Sequence, residues 1–589
     1  MRQRTGMVGS LAGRWRQFPY TREAVLVFVY FLLITVLITW PLLLRMTDSF
    51  VGQPGDNYYF LWEIGWVQKA LFELHIPPHF APNINYPEGW YLAYTDIAPL
   101  TIGTALPASL LAGPVFGYNF AILASYLLTG LIMYLWVRRL TGRPLAGLVA
   151  GTIFAFSPFR YAHYLVGHLN LLGTQWLPLY FMGLFQILQS ERRSRVDLLL
   201  TATAIGLVGL SSIHYLYMTL VLTFAVFLGA LLFCGGPRST LAKKSVASML
   251  AVYVTALPVL GLAIAPYADL ARKADIPVRS IEYVRQFSAS PTDFILPATF
   301  HPLWGRWIGD HFDRSYWPEA TLYLGAVGLI LGVAALLLSG GTMKAKGFLF
   351  LLSFSALAGV VLALGISVQW LAHPVMIETP EFLQRWHPNP QAHIPLPGYF
   401  LFKALPFYSS MRVWMRYGVF VLLFVSPLAG IGAVELVERL KGRGRQAAGA
   451  VLLGLVLLDF WPKQQPFTKV ESDTLDLWLS EQPGKGAVAP FPFEAADSQT
   501  LIYRTLLNGK PFVGGLYAAH TTPQYMRIGP IMAGFPSTES VSELRRLGVQ
   551  YVLVSSSAYP DFGTINDRID ELGLKRLTKI GETVVYELR

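Results

Sequence analysis

Long apolar runs separated by short basic turns are the feature that most limits how this chain can fold. A helix that crosses a bilayer needs about 20 mostly apolar residues, and the runs 24–44, 118–137 and 413–437 meet that requirement. Only 14% of the 589 residues are charged, against about 25% in an ordinary soluble domain. The sequence therefore excludes a soluble protein and predicts a polytopic α-helical membrane protein.

The runs alternate in direction across the membrane when the short turns rich in Lys and Arg are placed on the cytoplasmic side. The turn with Arg138, Arg139 and Arg143 is typical of those assigned to the inside. The run 97–116 contains three prolines and is predicted to be an interfacial or re-entrant helix instead of a span. About eleven spans remain, at residues 24–44, 118–137, 145–158, 171–189, 196–213, 215–234, 246–267, 320–338, 347–371, 413–437 and 449–461.

This topology divides the chain into two domains. Residues 1–461 form the predicted transmembrane domain, with outer loops at 45–117, 269–318 and 372–412. Residues 462–589 change to short helical patterns and apolar strands, which predicts a small α/β domain on the extracytoplasmic side. Because arginines cluster before the first apolar run, we expect a multi-pass protein of the plasma or inner membrane with a cytoplasmic N-terminus.

The net charge of +11 and the single cysteine narrow the range of functions. The positive excess lies in the inner turns and orients the chain, so no nucleic-acid partner is predicted. Cys234 alone allows neither an intrachain disulfide nor a cysteine-based zinc site. No GxxxxGK[ST] loop is present, which argues against an ATP-driven motor. No predicted span has a charge near its centre, which argues against an ion-driven transporter.

The segment Gly55-Asp56-Asn57-Tyr58-Tyr59 follows the first span at the outer membrane surface. Tyr58 and the tryptophans after it follow a helical pattern that would hold the segment against lipid headgroups. Asp56 then has two interpretations, because an aspartate here either caps the helix or serves as a catalytic carboxylate at the membrane surface. The residues alone favour neither.

Other polar segments accompany the Gly55-Asp56 pair at outer ends of spans. They are Phe156-Ser-Pro-Phe-Arg160-Tyr-Ala-His163, Gly167-His168-Leu-Asn170, Gln175-Trp-Leu-Pro178, Ser290-Pro-Thr-Asp293-Phe-Ile-Leu-Pro297 and Met411-Arg412-Val-Trp-Met-Arg416-Tyr. With an outward first span and an outer C-terminal domain, this arrangement resembles the bacterial membrane glycosyltransferases of the GT-C superfamily. The resemblance implies a GT-C-like fold and a sugar donor linked to polyprenyl phosphate. The chain lacks the WWDYG motif of oligosaccharyltransferases, and Asp56 is not followed by a second acid as in protein mannosyltransferases.

The resemblance also implies roles for these residues. Asp56 would be the general base that takes the proton of an acceptor hydroxyl. Arg412 and Arg416 are four residues apart, on one predicted helical face, and would grip the lipid phosphate, although the same side chains also suit simple contact with headgroups. The other candidate substrate-binding residues are Tyr58, Asp96, Arg160, His163, His168, Asn170 and Asp293, of which Asp96 and Asp293 also suit loop caps.

A metal site cannot be assigned from the sequence. His163 and His168 are five residues apart, which is about 140° around a continuous helix at roughly 100° per residue. They are therefore not predicted to form a metal-binding pair on one helical face. A divalent metal is left open, and no other cofactor is expected.

The resulting hypothesis is an inverting glycosyltransferase that moves a sugar from polyprenyl phosphate to a glycan, lipid or protein acceptor on the extracytoplasmic face. One alternative is a non-catalytic transporter or assembly factor for lipid-linked glycans with the same architecture. A second alternative is a structural membrane protein in which Asp56 only caps its helix.

Overall fold

A computed structural model describes residues 21–189, 194–233, 238–273, 278–340, 343–379, 389–405, 407–493, 498–517 and 519–588. Within these ranges, eight helices are long and apolar enough to cross a membrane. These spans are Thr21–Ile38, Pro114–Thr141, Pro144–Leu165, Leu169–Leu188, Ile213–Phe233, Ser245–Lys273, Lys346–Ala363 and Met415–Val437. The prediction of a polytopic α-helical membrane protein is confirmed.

The other predicted spans correspond to shorter or more polar helices. The runs 196–213, 320–338 and 449–461 coincide with Arg195–Ser211, Ala326–Leu338 and Arg443–Phe460, so the predicted number of eleven exceeds the eight that satisfy length and composition. The run 97–116 contains the helix Pro99–Ala112. Its 14 residues are too few to cross a bilayer alone. The arginines before residue 21, and also Cys234, lie outside the described residues.

Proline sets the starts of several helices in the membrane domain. Pro99, Pro114, Pro144 and Pro158 each occupy the first turn of a helix, where the missing N–H costs nothing and the fixed φ angle suits the helix. Pro158 divides the span Pro144–Leu165 into the helices Pro144–Ala155 and Pro158–Leu165. This break matters because the second piece carries two of the candidate site residues.

The centre of the membrane domain is the helix Gly418–Val437, which is buried along most of its length. It packs against Ala326–Leu338, Pro144–Ala155 and Met343–Ala363. Small residues permit this close approach: a Cβ at Gly432 would lie 1.8 Å from the Leu331 carbonyl oxygen, and one at Gly430 would lie 2.3 Å from that of Ala146. Such backbone contact is typical of helices packed in membranes.

The C-terminal region forms a four-stranded sheet with flanking helices, as predicted. In order across the sheet the strands are Lys575–Ile580, Thr583–Glu587, Val549–Ser555 and Ala487–Phe491. The last two run parallel, and the other pairings are antiparallel. The helices in this part are Thr474–Glu481, Ser498–Asn508, Pro523–Ala533, Thr538–Arg546 and Phe562–Glu571. Ser537 caps the helix Thr538–Arg546 and accepts a hydrogen bond from Ser540 N.

The C-terminal region also packs directly on the segment that follows the first span. The strand Phe467–Lys469 pairs antiparallel with Ser49–Val51, and the helix Ser498–Asn508 lies against Asp56–Phe72. The ring centres of Tyr503 and Tyr58 are 5.4 Å apart. The region beyond residue 461 is therefore part of the wall around Asp56.

Candidate active site

Asp56 is the first residue of the helix Asp56–Phe72, and Gly55 occupies the cap position. Its carboxylate is directed to two partners from distant parts of the chain: Oδ2 lies 3.2 Å from His168 Nε2, and Oδ1 accepts a 3.3 Å hydrogen bond from Gln499 Nε2. The side chain remains 40% exposed. A capping aspartate would turn its carboxylate onto the backbone of its own helix. The carboxylate of Asp56 instead faces residues from other segments and is accessible to a ligand.

Gly167 explains how His168 reaches Asp56. The helix Pro158–Leu165 ends just before it, and Gly167 adopts φ +77°, which favours glycine. A Cβ at this position would lie only 2.2 Å from Asn57 N. The chain then turns back, and His168 N donates a 2.9 Å hydrogen bond to His163 O.

The same turn brings the two histidines together. His163 Nδ1 and His168 Nδ1 are 2.8 Å apart, a hydrogen-bond distance. The sequence argument treated residues 163–168 as one continuous helix and therefore did not predict this contact. The structure replaces that helix with a tight turn at Gly167.

The contacts that run from Asp56 through His168 and His163 continue into a buried ion pair. We call the set the Asp56 row; it consists of Asp56, His168, His163, Glu319 and Arg416. His163 Nε2 lies 3.6 Å from Glu319 Oε2, and Glu319 Oε1 accepts hydrogen bonds from Arg416 Nε and Nη2 at 3.0 and 2.7 Å. The side chains of Glu319 and Arg416 are 1% and 10% exposed. Burial opposes ionisation of Glu319, but Arg416 and the nearby histidines outweigh it and hold the pKa of this carboxyl below its usual range.

His163, His168 and Glu319 could hold a metal ion, since one ligand atom from each lies within 4.8 Å of the others. Imidazole nitrogen and carboxylate oxygen are ligands that a divalent transition metal accepts. His163 Nε2 and Glu319 Oε2 are buried without a hydrogen-bond partner, and Asp56 on the far nitrogen of His168 is the kind of carboxylate that orients a ligating histidine. The donor set therefore fits such an ion.

The surroundings keep Asp56 ionised. Burial raises the pKa of its carboxyl, but the contact with His168, the hydrogen bond from Gln499 and the positive charge of Arg412 together lower the pKa below the ordinary value for aspartate. Asp56 is thus available as an acceptor of protons or of hydrogen bonds at neutral pH.

Arg412 and Arg416 do not share a helical face, contrary to the prediction. The helical segment begins only at Met415, and the guanidinium of Arg412 stacks over Phe287 at 4.9 Å and donates to Tyr283 Oη at 3.3 Å. Arg279 lies on the same tyrosine, 5.7 Å from its ring centre. Among the described residues, neither Arg279 nor Arg412 forms an ion pair with a carboxylate, whereas Arg416 is neutralised by Glu319.

The remaining predicted residues lie around this row and make internal contacts. Arg160 is fully buried, donates to Ala155 O and Leu172 O, and stacks over Tyr126. Tyr58 packs against Phe50 and Tyr503. These contacts give Arg160 and Tyr58 a framework role, and a direct contact of either one with substrate stays a prediction.

Asp96, Asn170 and Asp293 also have protein partners. Asp96 accepts hydrogen bonds from Asn170 Nδ2, Ser212 Oγ and Ile213 N, which ties three helix ends together. Asp293 accepts from Ser290 N in a capping box, as its alternative interpretation predicts. Burial, against weaker opposing contacts, raises the pKa of Asp293 to about 6.

Sequence reasoning missed four residues of the site or its surroundings. Glu319, Gln499 and Arg279 come from distant segments that no local pattern links to Asp56. Glu63 lies seven residues after Asp56, on the same helical face. It is fully buried, and burial with the nearby charge of Asp96 raises its pKa to about 8.

Comparison with known proteins places the chain in a family. A family model described as DUF6311, a domain of unknown function, matches residues 24–389. The chain belongs to this family. No curated protein matches the sequence. The family description carries no activity, so the fold provides the next comparison.

Solved structures share the fold at low sequence identity. The arabinofuranosyltransferase AftD from Mycobacteria superposes with a TM-score of 0.55 at 14% identity, covering 97% of this chain and 40% of its own. The oligosaccharyltransferase of Archaeoglobus fulgidus, tethered to an acceptor peptide, gives 0.52 at 14% identity, covering 97% and 74%. The chain therefore spans less than half the length of AftD. These similarities confirm the predicted GT-C fold.

Proposed function

We propose that this protein is a membrane glycosyltransferase that moves a sugar from a polyprenyl-phosphate donor to an acceptor hydroxyl, with Asp56 as the general base. The observation that carries the proposal is the ionised, partly exposed carboxylate of Asp56, which is held between His168 and Gln499 and lies within the influence of the positive charge of Arg412. The GT-C fold supports it, because the two similar structures are sugar transferases.

The acceptor oxygen would attack the anomeric carbon while Asp56 Oδ2 or Oδ1 takes its proton. One carbon–oxygen bond forms to the acceptor, and the bond between the anomeric carbon and the phosphate oxygen breaks with its electron pair leaving on the phosphate. Attack from the face opposite the leaving group inverts the anomeric centre. His168 and Gln499 hold the carboxylate in place for this step.

The leaving lipid phosphate gains negative charge and needs donors at that position. Arg412 and Arg279 suit this role, since both guanidinium groups lie on Tyr283 without a carboxylate partner among the described residues. Arg416 is the weaker candidate because Glu319 already occupies two of its donors. We retain Arg416 as a residue that positions Glu319 and the histidine pair.

The proposed orientation follows from charge. The helix ends opposite Asp56 carry basic turns such as Arg138 and Arg139, which favours the cytoplasm for that side. The Asp56 site and the C-terminal region would then face outward in the plasma or inner membrane. The acceptor, whether glycan, lipid or protein, would approach past the helix Ser498–Asn508, which borders Asp56.

Donor turnover by the purified protein in lipid vesicles tests this function. Polyprenyl-phosphate sugars with a radiolabel in the sugar are added with a membrane extract that supplies acceptors, and the release of free polyprenyl phosphate is measured. We expect release of polyprenyl phosphate together with label in an acceptor. Movement of intact donor across the vesicle membrane, without release, would instead support the transporter alternative.

A further inference from the structure

A cavity lies at the end of the helical bundle away from Asp56. It has a volume of about 840 Å³ and is lined by the turn at residues 142–145 and by residues between 434 and 453. It is within the range of about 300–1,000 Å³ that is typical of small-molecule sites. Glu23 at the start of the first span pairs with Arg138 near the end of the second span, and the cavity lies at this end of the bundle. The Asp56 row lies at the other end and does not reach the cavity. This cavity has no part in the proposed sugar transfer.

The polar side of the cavity has more positive than negative charge. Arg143 and Arg445 both bind the same carboxylate, with their Nη2 atoms 2.8 and 3.0 Å from Glu438 Oε1. The side chains of Arg143 and Arg445 remain 44% and 46% exposed. One carboxylate cannot neutralise two arginines, so a positive charge is left for an anionic ligand.

A helix start adds to this attraction. The helix Arg443–Phe460 begins at the cavity, and Gly442 at its cap position has φ +56° and no side chain to accept the first amides. The N-terminal end of an 18-residue helix carries a partial positive charge and free N–H groups that favour an anion. Phosphate is the anion that matches two arginines and a helix start.

The other side of the cavity is apolar. Leu145, Val434, Val437 and Leu453 line it. The helix Arg443–Phe460 also exposes large apolar side chains along its outer face, at Val451, Leu455 and Leu458. An exposed apolar face on a spanning or interfacial helix contacts lipid chains. The site therefore joins a cationic rim to a surface that acyl chains can cover.

We propose that this cavity binds an anionic glycerophospholipid, with its phosphate on Arg143 and Arg445 and its acyl chains beside Leu145 and Leu453. Basic pockets between membrane helices on the cytoplasmic side are typical sites for acidic headgroups. The bound lipid would bridge the turn after the span Pro114–Thr141 to the helix Arg443–Phe460. This site is independent of the proposed transferase activity.

Lipid binding to the whole protein in neutral detergent tests the proposal. Phosphatidylglycerol, phosphatidylcholine and glycerol 3-phosphate are each titrated, and the bound fraction is counted by native mass spectrometry. We expect the wild type to bind phosphatidylglycerol saturably. The double variant Arg143→Gln/Arg445→Gln should bind it about 30-fold more weakly, because each arginine is expected to contribute about 5-fold to the affinity for an acidic headgroup. The matched control Arg527→Gln/Arg546→Gln removes two arginines that pair with Glu88 and Glu543 elsewhere, and it should bind as the wild type does.

A gain in affinity keeps the test independent of misfolding. Glu438→Gln removes the carboxylate that competes for both arginines, so it should bind phosphatidylglycerol about 5-fold more tightly. Equal binding of phosphatidylcholine and phosphatidylglycerol, or wild-type affinity in the double variant, would overturn the proposal. Binding of glycerol 3-phosphate as tight as that of the lipid would assign the site to a soluble phosphate and would also overturn it.

Discussion

The buried pair of Glu319 and Arg416 gives a prediction whose size follows from the structure. Substituting Arg416→Met keeps most of the side-chain volume but removes both hydrogen bonds to Glu319 Oε1. Glu319 is 1% exposed, so water cannot replace the lost partner. The carboxylate must then either stay charged without its cation or take up a proton.

Protonation sets the upper limit of the cost. An ordinary glutamate has a pKa of about 4.3, and each pH unit corresponds to about 1.4 kcal/mol, so neutralising Glu319 at pH 7 costs about 4 kcal/mol. Breaking one side of a buried ion pair typically costs about 3–5 kcal/mol. We therefore expect Arg416→Met to lower the free energy of unfolding by about 3–4 kcal/mol at pH 7. Any new interaction of His163 with Glu319 would reduce this loss.

The pH dependence of this loss has a definite sign. In the wild type the pKa of Glu319 is depressed, so its stabilisation is present above the unfolded pKa and is lost as the pH falls through the folded pKa. In Arg416→Met the buried carboxyl has a raised pKa, and protonation becomes easier as the pH falls. The difference in unfolding free energy between the two proteins should therefore shrink by about 1.4 kcal/mol per unit between pH 7 and pH 5.

Reversible unfolding in mixed micelles, followed by tryptophan fluorescence, measures these differences. The double variant Arg416→Met/Glu319→Gln removes the buried charge and should recover part of the stability lost in the single variant. A loss of stability that is independent of pH would refute the reasoning. So would a double variant whose loss of stability equals the sum of the losses in the two single variants. Arg416 would then be free to bind phosphate.

Three further predictions concern the residues around Asp56. Gln499→Ala removes a hydrogen bond that lowers the pKa of Asp56, so the acidic limb of the kcat/KM profile should move to higher pH, while Thr505→Val, on the same helix but bonded to Asn83, should leave that limb in place. Gly167→Ala places a Cβ against Asn57 N in a conformation that costs roughly 1–2 kcal/mol before any clash; thermal unfolding should show a clear loss, whereas Gly103→Ala, with open space around it, should not. Arg412→Gln should raise KM for the donor about 10- to 100-fold, from a charge-assisted hydrogen bond of about 1.5–3 kcal/mol, and a normal KM would exclude it from the phosphate site. Arg306→Gln, at an exposed position, is the control for that measurement.

Local patterns predicted the parts of the structure that depend on local physics. Apolar run length identified the spans, and the short apolar run 549–554 identified the buried strand Val549–Ser555. Asp56 was selected as a candidate because its segment follows the first predicted span, and its role stays a prediction. The predictions were least accurate where the chain departs from a regular helix, as at Gly167 and before Met415.

The partners of Asp56 could not be predicted for a different reason. His168 and Gln499 reach it only through the packing of the turn at Gly167 and of the C-terminal helix Ser498–Asn508. Glu319 immediately precedes the apolar run 320–338 and looks like an end residue in the sequence, yet the fold buries it against Arg416. Contacts between segments this far apart depend on tertiary packing, which periodicity does not describe.

The transfer rate of Asp56→Asn is the most direct test of the central claim. The variant keeps the size of the side chain and can still bond to Gln499, but it cannot take a proton from the acceptor. With donor and acceptor extract in vesicles, we predict release of polyprenyl phosphate about 10²- to 10⁴-fold slower than in the wild type, with unchanged thermal unfolding. Wild-type turnover by a folded Asp56→Asn protein would contradict the role of Asp56 as the base.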